Sequence, residues 1–528
     1  MTKWILRAAM WAAVAALPVG CGSENDDVSD ETPRFGAPTI TLEGGAIDAP
    51  IEIGPEMSVA IAVEAPGGVE SFLVAIDSPC LTEQVLSGLG LSAQMDLTAP
   101  ADAAMSEALS GLGFPVGDAV KGATKLSFDL SEFIPMIALI CNETSDHRFR
   151  LTVADRASQR TTATLTFHLT AVPPVSIVYA EDADLWANTA SVTTENLPEG
   201  ARVEYRMKGA AEWLGTTALG GGRFGIGPVW EESRNEAGLT VRTVRAATGV
   251  FAGTTYELRA VSEDGVLAEA GFATALGDAI PNGDMSGWSG KTYEGDGASW
   301  ELTYPNAAGE SFWDCGNNPF LENPQMGTSD PLCYENPEEP GTALLQGRMA
   351  LGFVFAPGNL FVGDFVYAGM GGTVSFGKAY GWTARPRALK LRYKAQVGTI
   401  DKVGSNDPDK ESFEGQQDRS QIYVAVVDWT TQHQVVSGLM APTGMWSPAS
   451  MTSVDEGPIL AYGEAIFTES CGEWTECVIP LLWYADAGAK PAEGNFSLVI
   501  SCATSLRGDY LTGCSTNSMC VDDFMWVY

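Results

Sequence analysis

Hydrophobic and polar positions alternate with a period of two along much of this chain. Between residues 37 and 172 the pattern recurs in five segments, TITLEG, IEIGPEMSVAIAVEA, VESFLVAID, LTVADR and TATLTFHLT. Successive side chains on a β-strand point to opposite faces, so this alternation predicts strands with one buried and one solvated face. We therefore expect residues 37–172 to form an immunoglobulin-like β-sandwich.

The period changes between Cys80 and Cys141. In this stretch, apolar residues recur at spacings of three and four, as on one face of a helix: Ala104, Met105, Ala108 and Leu109. We expect one or two short helices inserted into the first sandwich. Cys80 and Cys141 are the only cysteines of residues 37–172, and we predict a disulfide between them.

Residues 173–277 contain a second set of alternating segments. VEYRMKG and GTTYELRAVSEDG resemble strands of fibronectin type III domains, and Tyr256 stands where that fold places its corner tyrosine. The resemblance implies a fibronectin-like sandwich whose corner hydroxyl bonds to nearby backbone. Such a domain has no intrinsic activity, so we expect it to act as a spacer.

The last strand predicted for the chain is apolar on both faces. Alternation places Val521, Met525 and Val527 on one face and Phe524, Trp526 and Tyr528 on the other. A strand coated on both faces is expected at the centre of a sheet or between two layers. It nevertheless begins with Asp522 and Asp523, one for each face, and a buried carboxylate needs a cation, a metal or several N–H donors.

The segment that ends the chain, ISCATSLRGDYLTG followed by VDDF, resembles the end of the putative carbohydrate metabolism domain, known as PCMD. Other blocks typical of that family follow one another over residues 280–528: PGTALLQG, APGNLFVGDF, GWTARPRALKLRYKA, QIYVAVVDW, ILAYGEAIF and EWTECVIPLLWY. The resemblance implies a jelly-roll-like sandwich over residues 278–528 and no established reaction. The predicted fold class is thus all-β, with two immunoglobulin- or fibronectin-like sandwiches followed by a C-terminal jelly roll.

The start of this third domain suggests an ion site. AIPNGDMSGWS resembles the opening of jelly-roll carbohydrate-binding modules, whose first and last strands lie close together, often around a structural calcium. That resemblance implies that Asp284 meets Asp522 and Asp523, and we expect these three to hold calcium through hard oxygen ligands. Backbone N–H groups or an arginine are the alternative partners of the two acids that open the last strand.

Residues 1–21 have the features of a lipoprotein signal peptide. A basic start precedes an apolar stretch too short to span a bilayer, and Leu-Pro-Val-Gly-Cys ends it. Pro18 departs from the lipobox, which has a large aliphatic residue three positions before its cysteine, so ordinary cleavage is the alternative to lipidation of Cys21. Residues 22–36 are acidic and predict a disordered tether, either a surface-export signal or a plain spacer. Together these features predict a protein lipid-anchored to the bacterial outer membrane and facing the cell surface.

Charge narrows the range of partners. The net charge is −37, which argues against nucleic acid, because affinity for its phosphates rests on Lys and Arg. The same charge argues against electrostatic docking on anionic membranes. It fits an extracytoplasmic protein with neutral ligands or divalent cations.

Seven of the ten cysteines lie in the last domain. We predict three local disulfides that would staple loops in an oxidising compartment, Cys315–Cys333, Cys471–Cys477 and Cys514–Cys520. Cys502, at the end of an apolar strand, is expected to remain a free thiol that packs as a small hydrophobe. Zinc is the alternative for Cys471 and Cys477, although no histidine is nearby.

Catalytic signals are sparse. The chain has three histidines and no G-x-S-x-G turn, which disfavours a serine hydrolase. Glycosidases need only two carboxylates, and four acids lie in the family-like blocks: Asp428, Glu464, Glu473 and Asp509. Local structural roles, such as capping a turn for Asp509, are the competing interpretation.

Sugar binding requires an aromatic platform with polar groups beside it. Most tryptophans of the last domain must be core, and we expect Trp382, with nearby Arg385, and Trp429, at a strand end, to be the exposed residues that bind glycan. The predicted function is a non-catalytic, surface-anchored lipoprotein that binds glycan. A glycan-processing enzyme and a structural or adhesion scaffold without a ligand are the alternatives.

Overall fold

The computed structural model describes residues 35–54, 57–295, 298–323, 328–350, 352–368, 371–485 and 488–528. The predicted signal peptide with Cys21, and the acidic tether up to residue 34, lie outside these residues. The chain divides into two compact units, Met1–Pro173 and Pro174–Tyr528. None of the helices in the described residues is long and apolar enough to cross a membrane.

Two sheets form the described part of the first unit, as the alternation predicts, and their strands pair antiparallel except for the parallel pair β2–β8. Among the described residues, one sheet has the order β2-β8-β7-β4-β5 and the other β1-β3-β6. Their apolar faces pack on each other, with Ile61, Phe72 and Phe149 fully buried between them. The strands are β1 (Thr39–Leu42), β2 (Ile51–Glu52), β3 (Ala60–Glu64), β4 (Val69–Asp77), β5 (Gln94–Asp96), β6 (Lys125–Asp129), β7 (Ser145–Asp155) and β8 (Arg160–Leu169).

The helical insertion lies where the period changes. It contains α1 (Glu83–Gly88), α2 (Ala103–Gly111) and α3 (Ile137–Ile140). The Asp102 carboxylate caps α2 by accepting a hydrogen bond from the Met105 N–H at 2.8 Å. Cys80 and Cys141 are joined by a disulfide, which closes the insertion at both ends.

The second unit begins with a fibronectin-like sandwich. Its two sheets have the orders β13-β14-β10-β9 and β12-β11-β17-β18. The Phe251 N–H donates to the hydroxyl of Tyr256 at 2.9 Å, which confirms the predicted corner tyrosine. The strands of this part of the chain are β9 (Ser176–Tyr179), β10 (Ala190–Glu195), β11 (Arg202–Met207), β12 (Leu214–Gly215), β13 (Thr217–Gly220), β14 (Arg223–Ile226), β15 (Trp230–Arg234), β16 (Thr240–Val244), β17 (Thr255–Ser262) and β18 (Gly265–Ala273).

One hairpin of this region belongs to a different sheet. Strands β15 and β16 pair with each other, and Val241 and Arg242 of β16 pair with Tyr484 and Trp483. The hairpin thereby extends the large sheet of the last domain. The fibronectin-like part is consequently an integral neighbour of the last domain and not the independent spacer that the sequence predicts.

The last domain is a sandwich of a large and a small sheet. Its strands are β19 (Ser289–Gly295), β20 (Ala298–Tyr304), β21 (Trp313–Asp314), β22 (Glu322–Asn323), β23 (Thr328–Ser329), β24 (Cys333–Glu335), β25 (Ala343–Gln346), β26 (Arg348–Ala350), β27 (Val354–Ala356), β28 (Asn359–Ala368), β29 (Gly371–Phe376), β30 (Lys378–Ala379), β31 (Ala388–Gln396), β32 (Ser420–Trp429), β33 (His433–Gly438), β34 (Ser453–Val454), β35 (Gly457–Phe467), β36 (Cys471–Pro480), β37 (Leu482–Tyr484), β38 (Phe496–Ala503) and β39 (Ser518–Val527), with one helical turn, α4 (Lys410–Phe413).

The order of these strands in the described residues brings distant parts of the chain together. The large sheet runs β15-β16-β37-β35-β32-β38-β28-β29-β33, and the small one β24-β25-β39-β31-β36. Core residues such as Leu391, Val424 and Ile500 are at most 1% exposed. The all-β prediction is confirmed, and β39 is the central strand of the small sheet, as its apolar character implies.

A bulge in β39 changes which of its residues share a face. Lys390 pairs with Met525, but Arg392 pairs with Asp522, so β39 has one residue more than β31 in this interval. Asp523, at a φ of 56°, accommodates the extra residue. The Phe524 N–H donates to the Gly283 carbonyl at 2.7 Å and not to a neighbouring strand of the sheet. The opening segment of the domain therefore does meet the last strand, through backbone.

The predicted local disulfides of the last domain are not formed; the seven cysteines that lie there are free thiols. Cys471 and Cys477 lie on the same extended strand, roughly 20 Å apart at about 3.3 Å per residue, which no disulfide can bridge. Cys514 is buried in a loop beside Gly398, whereas Cys520 lies on β39 near Asn336. These two pairings are wrong.

Cys315 and Cys333 behave differently. Both side chains are fully buried, and the Cys315 thiol is hydrogen-bonded to that of Cys333. The two thiols are neighbours, but no disulfide joins them. Cys502 is likewise a buried free thiol, as the sequence predicts.

Candidate functional site

A cleft of about 350 Å³ lies on the large sheet, on the face turned away from the small sheet. Its floor is a row of cross-strand neighbours in which Tyr423 pairs with Glu464 on one side and with Ser501 on the other. The next residues along these strands, Ile422 and Cys502, pair with each other and are buried in the core. Because alternate residues face opposite sides, the row that contains Tyr423 faces outward.

The cleft is rich in aromatic side chains. Those that line it come from six separate segments: Phe320, Phe355, Phe361, Phe365, Tyr367, Phe376, Tyr423 and Trp446. They pack on each other edge to face, for example Tyr423 on Trp446 with centroids 5.8 Å apart and Phe320 on Tyr367 at 5.4 Å. A Cβ on Gly372 would lie 2.3 Å from the Phe365 ring, so a glycine is needed at this place in the wall.

Polar groups are interspersed among the rings. Gln421, Asn318 and Ser437 line the cleft as neutral donors and acceptors, and the described lining residues include two acids, Glu464 and Asp509, and no base. Glu464 is exposed, and its Oε2 accepts a hydrogen bond from Gln421 Nε2 at 3.0 Å. Apolar ring surface next to a few hydrogen-bonding groups is the usual composition of a small-molecule or sugar site.

Asp509 is the most perturbed of the acids that line the cleft. Burial raises the pKa of its carboxyl group to about 6. It lies in the 3₁₀ turn Gly508–Tyr510, which follows β38 and ends at Leu511. Leu511 has a φ of 60°, a strained conformation for a bulky residue and one that recurs at functional sites.

Two ion-paired or hydrogen-bonded acids hold this turn in place. Asp407 accepts two hydrogen bonds from the Arg507 guanidinium, which also stacks on the Phe413 ring at 4.5 Å. Asp418 accepts from the Ser505 hydroxyl at 2.8 Å and from the Cys514 N–H at 2.7 Å. The turn that carries Asp509 is consequently rigid on both sides.

Hydrogen bonds from His433 and Asn235 hold the loop that carries Trp446 in place. The ring of His433 bonds to Glu456 at 2.9 Å and to the Gly444 carbonyl at 2.7 Å. Asn235, in the turn between β15 and β16, donates to the Ala449 carbonyl at 2.7 Å. The fibronectin-like part of the chain thus contributes to one wall of the cleft.

The tryptophans predicted to bind glycan are core residues. Trp382 is 2% exposed and packs on Trp186 and Trp526, and Trp429 is 0% exposed. Neither can contact a polysaccharide, so that assignment is wrong. Trp429 does pack on Trp446 with centroids 5.1 Å apart, so it lies directly behind the tryptophan that lines the cleft.

Arg385 is also buried, and it joins the two parts of the second unit. Its Nε donates to the Trp186 carbonyl at 2.7 Å, and its guanidinium lies 4.5 Å from the Trp483 ring and 5.2 Å from that of Trp230. Burial lowers its pKa to about 10. The prediction that it binds glycan is therefore wrong as well; it is an interface residue.

The acids predicted to hold calcium have an arginine as their partner. Arg392 donates through Nε and Nη2 to Asp522, and its Nε lies 2.9 Å from Asp523 Oδ2. Asp284 is exposed and accepts from the Ser286 hydroxyl at 3.0 Å. In the part of the chain that the structure describes, no group of three or more His, Cys, Asp or Glu could hold a metal. The alternative that the sequence left open, an arginine, is the one observed.

The four carboxylates considered for hydrolysis separate into two groups. Glu464 and Asp509 line the same cleft. Asp428 instead accepts from the Ala492 N–H at 3.0 Å and the Asn495 amide at 2.7 Å, which is the structural role anticipated for it. Glu473 lies exposed on β36 of the small sheet.

Sequence reasoning missed the aromatic residues of the cleft because they look like core residues. Phe361, Phe365 and Tyr367 alternate along β28, and either face of that strand has an apolar series. Only the strand order reveals which series faces the cleft. The signal that could have helped is the short segment around Trp446, GMWSPAS, where a tryptophan stands alone in a turn-rich loop.

Residues 305–527 match the model of a family described as the putative carbohydrate metabolism domain. No curated protein matches the chain.

Several solved structures are similar over part or most of the chain. A putative glycoside hydrolase of Bacteroides vulgatus is 19% identical, with 45% of this chain and 95% of that chain covered and a TM-score of 0.32. One of Bacteroides thetaiotaomicron is 15% identical, with 63% and 98% covered and a TM-score of 0.33. A surface glycan-binding protein of Prevotella bryantii is 9% identical, with 93% and 99% covered and a TM-score of 0.16. Similarities as low as these do not show that this chain shares an activity with those proteins.

Proposed function

We propose that the aromatic cleft binds a neutral polysaccharide at the bacterial surface. Residues 305–527 match the model of the putative carbohydrate metabolism domain family, which supports a carbohydrate-associated role. The observation that carries the proposal is the composition of the cleft. Its rings can stack on the apolar faces of sugar units, and Gln421, Glu464 and Asn318 can hydrogen-bond hydroxyl groups.

The negative charge of the cleft and of the whole chain favours neutral polysaccharides over anionic ones. The described lining residues include two acids and no Lys, Arg or His, and the whole chain has a net charge of −37. An anionic polymer such as a polyuronate or a sulfated glycan would be repelled by both the cleft and the surrounding field. A neutral chain of hexoses or pentoses meets no such repulsion.

The N-terminal residues complete the proposal. Lipidation of Cys21 would hold the protein at the outer membrane, and the acidic residues that follow would act as a tether. A binding cleft on an anchored protein would capture polysaccharide for uptake. The support is the signal-peptide pattern of residues 1–21.

Binding is tested by affinity electrophoresis of the full chain in gels that contain soluble polysaccharides, followed by calorimetry on the best ligand. We use xyloglucan, galactomannan and soluble starch as neutral polymers, and polygalacturonate and heparin as anionic ones. Retardation by at least one neutral polymer and by neither anionic polymer is expected.

The Trp446→Ala variant tests the location of the site. Loss of a central ring from a binding site typically costs about 2 kcal/mol or more, so the affinity should fall at least tenfold. Trp474→Ala is the matched control, because Trp474 stacks on Arg392 in the small sheet and lies outside the cleft. Equal binding by both variants would place the site elsewhere, and retention by anionic polymers alone would overturn the assignment of ligand class.

A further inference from the structure

The carboxyl group of Asp509 has no evident structural task. Burial is the one cause that acts on its pKa, and no hydrogen bond or ion pair from another described residue reaches it. The charged form of such a group is costly inside a protein, and it usually gains a partner or is replaced. A desolvated, unpaired carboxyl group in a cleft lined by aromatic rings marks a candidate active site.

A second acid lies across the same floor. Glu464 is the cross-strand neighbour of Tyr423. Burial raises the pKa of Tyr423, and the charge of Asp509 raises it further, so Asp509 is close to the same phenol. Both acids thus lie near Tyr423 in the same cleft, with Glu464 exposed and Asp509 desolvated.

The different surroundings suit different tasks in the cleavage of a glycoside. A desolvated carboxyl group keeps its proton at mildly acidic pH and can donate it, whereas an exposed carboxylate with a single amide donor can accept one. Hydrolysis of a glycoside with inversion of the anomeric carbon uses one group of each kind, an acid and a base, on opposite sides of the bond.

We propose that this cleft also hydrolyses the neutral polysaccharide that it binds, with Asp509 as the acid and Glu464 as the base, an inference that rests on the glycan binding proposed above. Water attacks the anomeric carbon, and its oxygen forms the new bond while the bond from that carbon to the glycosidic oxygen breaks. Asp509 gives its proton to the leaving oxygen, and Glu464 takes the proton that the water loses. Both groups return to their starting states by proton exchange with solvent, and no oxidant, metal or cofactor is consumed.

The turn that carries Asp509 has the rigidity such a role requires. Arg507 and Asp407 fix one side of it, and Ser505 and Asp418 fix the other. The strained conformation of Leu511, at a φ of 60°, is maintained at the end of the same turn. A general acid must be held within hydrogen-bond reach of the leaving oxygen, and a mobile loop would not do so.

The experiment measures the release of reducing ends from the neutral polymers that bind the full chain. The wild type is compared with Asp509→Asn and Glu464→Gln, which keep the side-chain shapes, and with Glu473→Gln as a matched control on the other sheet. We expect release by the wild type and the control, and a rate at least 100-fold lower in the two cleft variants. The wild-type rate should fall tenfold for each pH unit above the pKa of Asp509, about 6.

Binding is measured on the same samples and separates the two proposals. Binding without release by the wild type, or release that persists in Asp509→Asn, overturns hydrolysis and leaves the binding proposal in place. An absence of both binding and release overturns both. Near-ultraviolet circular dichroism of each variant verifies that a loss of release does not come from unfolding.

Discussion

Replacement of Arg392 by glutamine tests the ion pair at the start of the last strand. Arg392 forms ion pairs with Asp522, which is 2% exposed, and with Asp523, whose side chain is 45% exposed. Breaking a buried ion pair from one side costs about 3–5 kcal/mol, and an exposed pair at most about 1 kcal/mol. Because 42% of the Arg392 side chain is exposed, water can partly replace it, and we expect a loss of roughly 2–3 kcal/mol, between these two limits.

Proton linkage gives this prediction a second, independent signature. Burial raises the pKa of Asp522 even with the arginine present, and without it the pKa must rise further. A carboxyl group whose pKa is higher in the folded state binds protons on folding, so its contribution to stability improves as the pH falls. The difference between the variant and the wild type should therefore be smaller near pH 5 than near pH 7.5.

Urea unfolding followed by tryptophan fluorescence measures both effects. Apart from Trp4 and Trp11, every tryptophan lies beyond residue 174, so the described part of the first unit does not contribute to the signal. Lys390→Gln is the matched control, since Lys390 makes an exposed pair with Glu476 at 3.2 Å on the same sheet and should cost less than about 1 kcal/mol.

Two results would refute this reasoning. The first is a loss in Arg392→Gln no larger than in Lys390→Gln, or one that does not depend on pH. The second is a rise in the unfolding midpoint of the wild type when calcium replaces chelator, which would show that a metal and not the arginine compensates the acids. The double variant Arg392→Gln with Asp522→Asn should recover part of the loss, because no charge is then left buried.

The remaining predictions concern the cleft, the interface and the anchor. Asp509→Asn should raise the free energy of unfolding near pH 8 by about 2 kcal/mol and change it little near pH 4, because the folded-state pKa of about 6 is higher than that of the unfolded chain and the wild type therefore loses stability as the pH rises from about 4 through 6; a loss of stability near pH 8 would contradict an unpaired acid. Arg385→Ala should cost about 3 kcal/mol or more, since the buried rings of Trp186 and Trp483 and the partly buried ring of Trp230 lose their partner, and a change below 1 kcal/mol in urea unfolding would contradict its role at the interface. Cys21→Ser should move the protein from the membrane fraction to the soluble fraction on fractionation of the host cells, and an unchanged membrane fraction would remove lipidation.

Local pattern was sufficient for much of the fold. Alternation with a period of two depends only on which side of a strand each residue occupies, so it identified the strands of the first unit. It assigned the faces of β39 wrongly, because the bulge puts Val521 on the buried face with Phe524 and leaves Met525 exposed. A change of period located the helical insertion, because helix and strand place apolar residues at different intervals. The corner tyrosine, Tyr256, was recognisable because its partner lies five residues away.

Contacts between distant parts of the chain could be decided only by the tertiary structure. Alternation places Asp522 and Asp523 on opposite faces, yet the bulge at Asp523 turns both toward Arg392, which is 130 residues away from Asp522 in the chain. A β-bulge depends on how the neighbouring strand pairs, and no local pattern records that pairing.

The lack of strand-pairing information in a local pattern also explains why Trp382, Arg385 and Trp429 were wrongly predicted to bind glycan. Trp429 ends a strand and Trp446 lies in a loop, yet the first is fully buried and the second lines the cleft. Periodicity tells which residues share a face and not what covers that face. Here one face of the large sheet is covered by the small sheet, and the other is left partly open between loops that carry Trp446 and Asp509, so strand order alone decided which residues form the site.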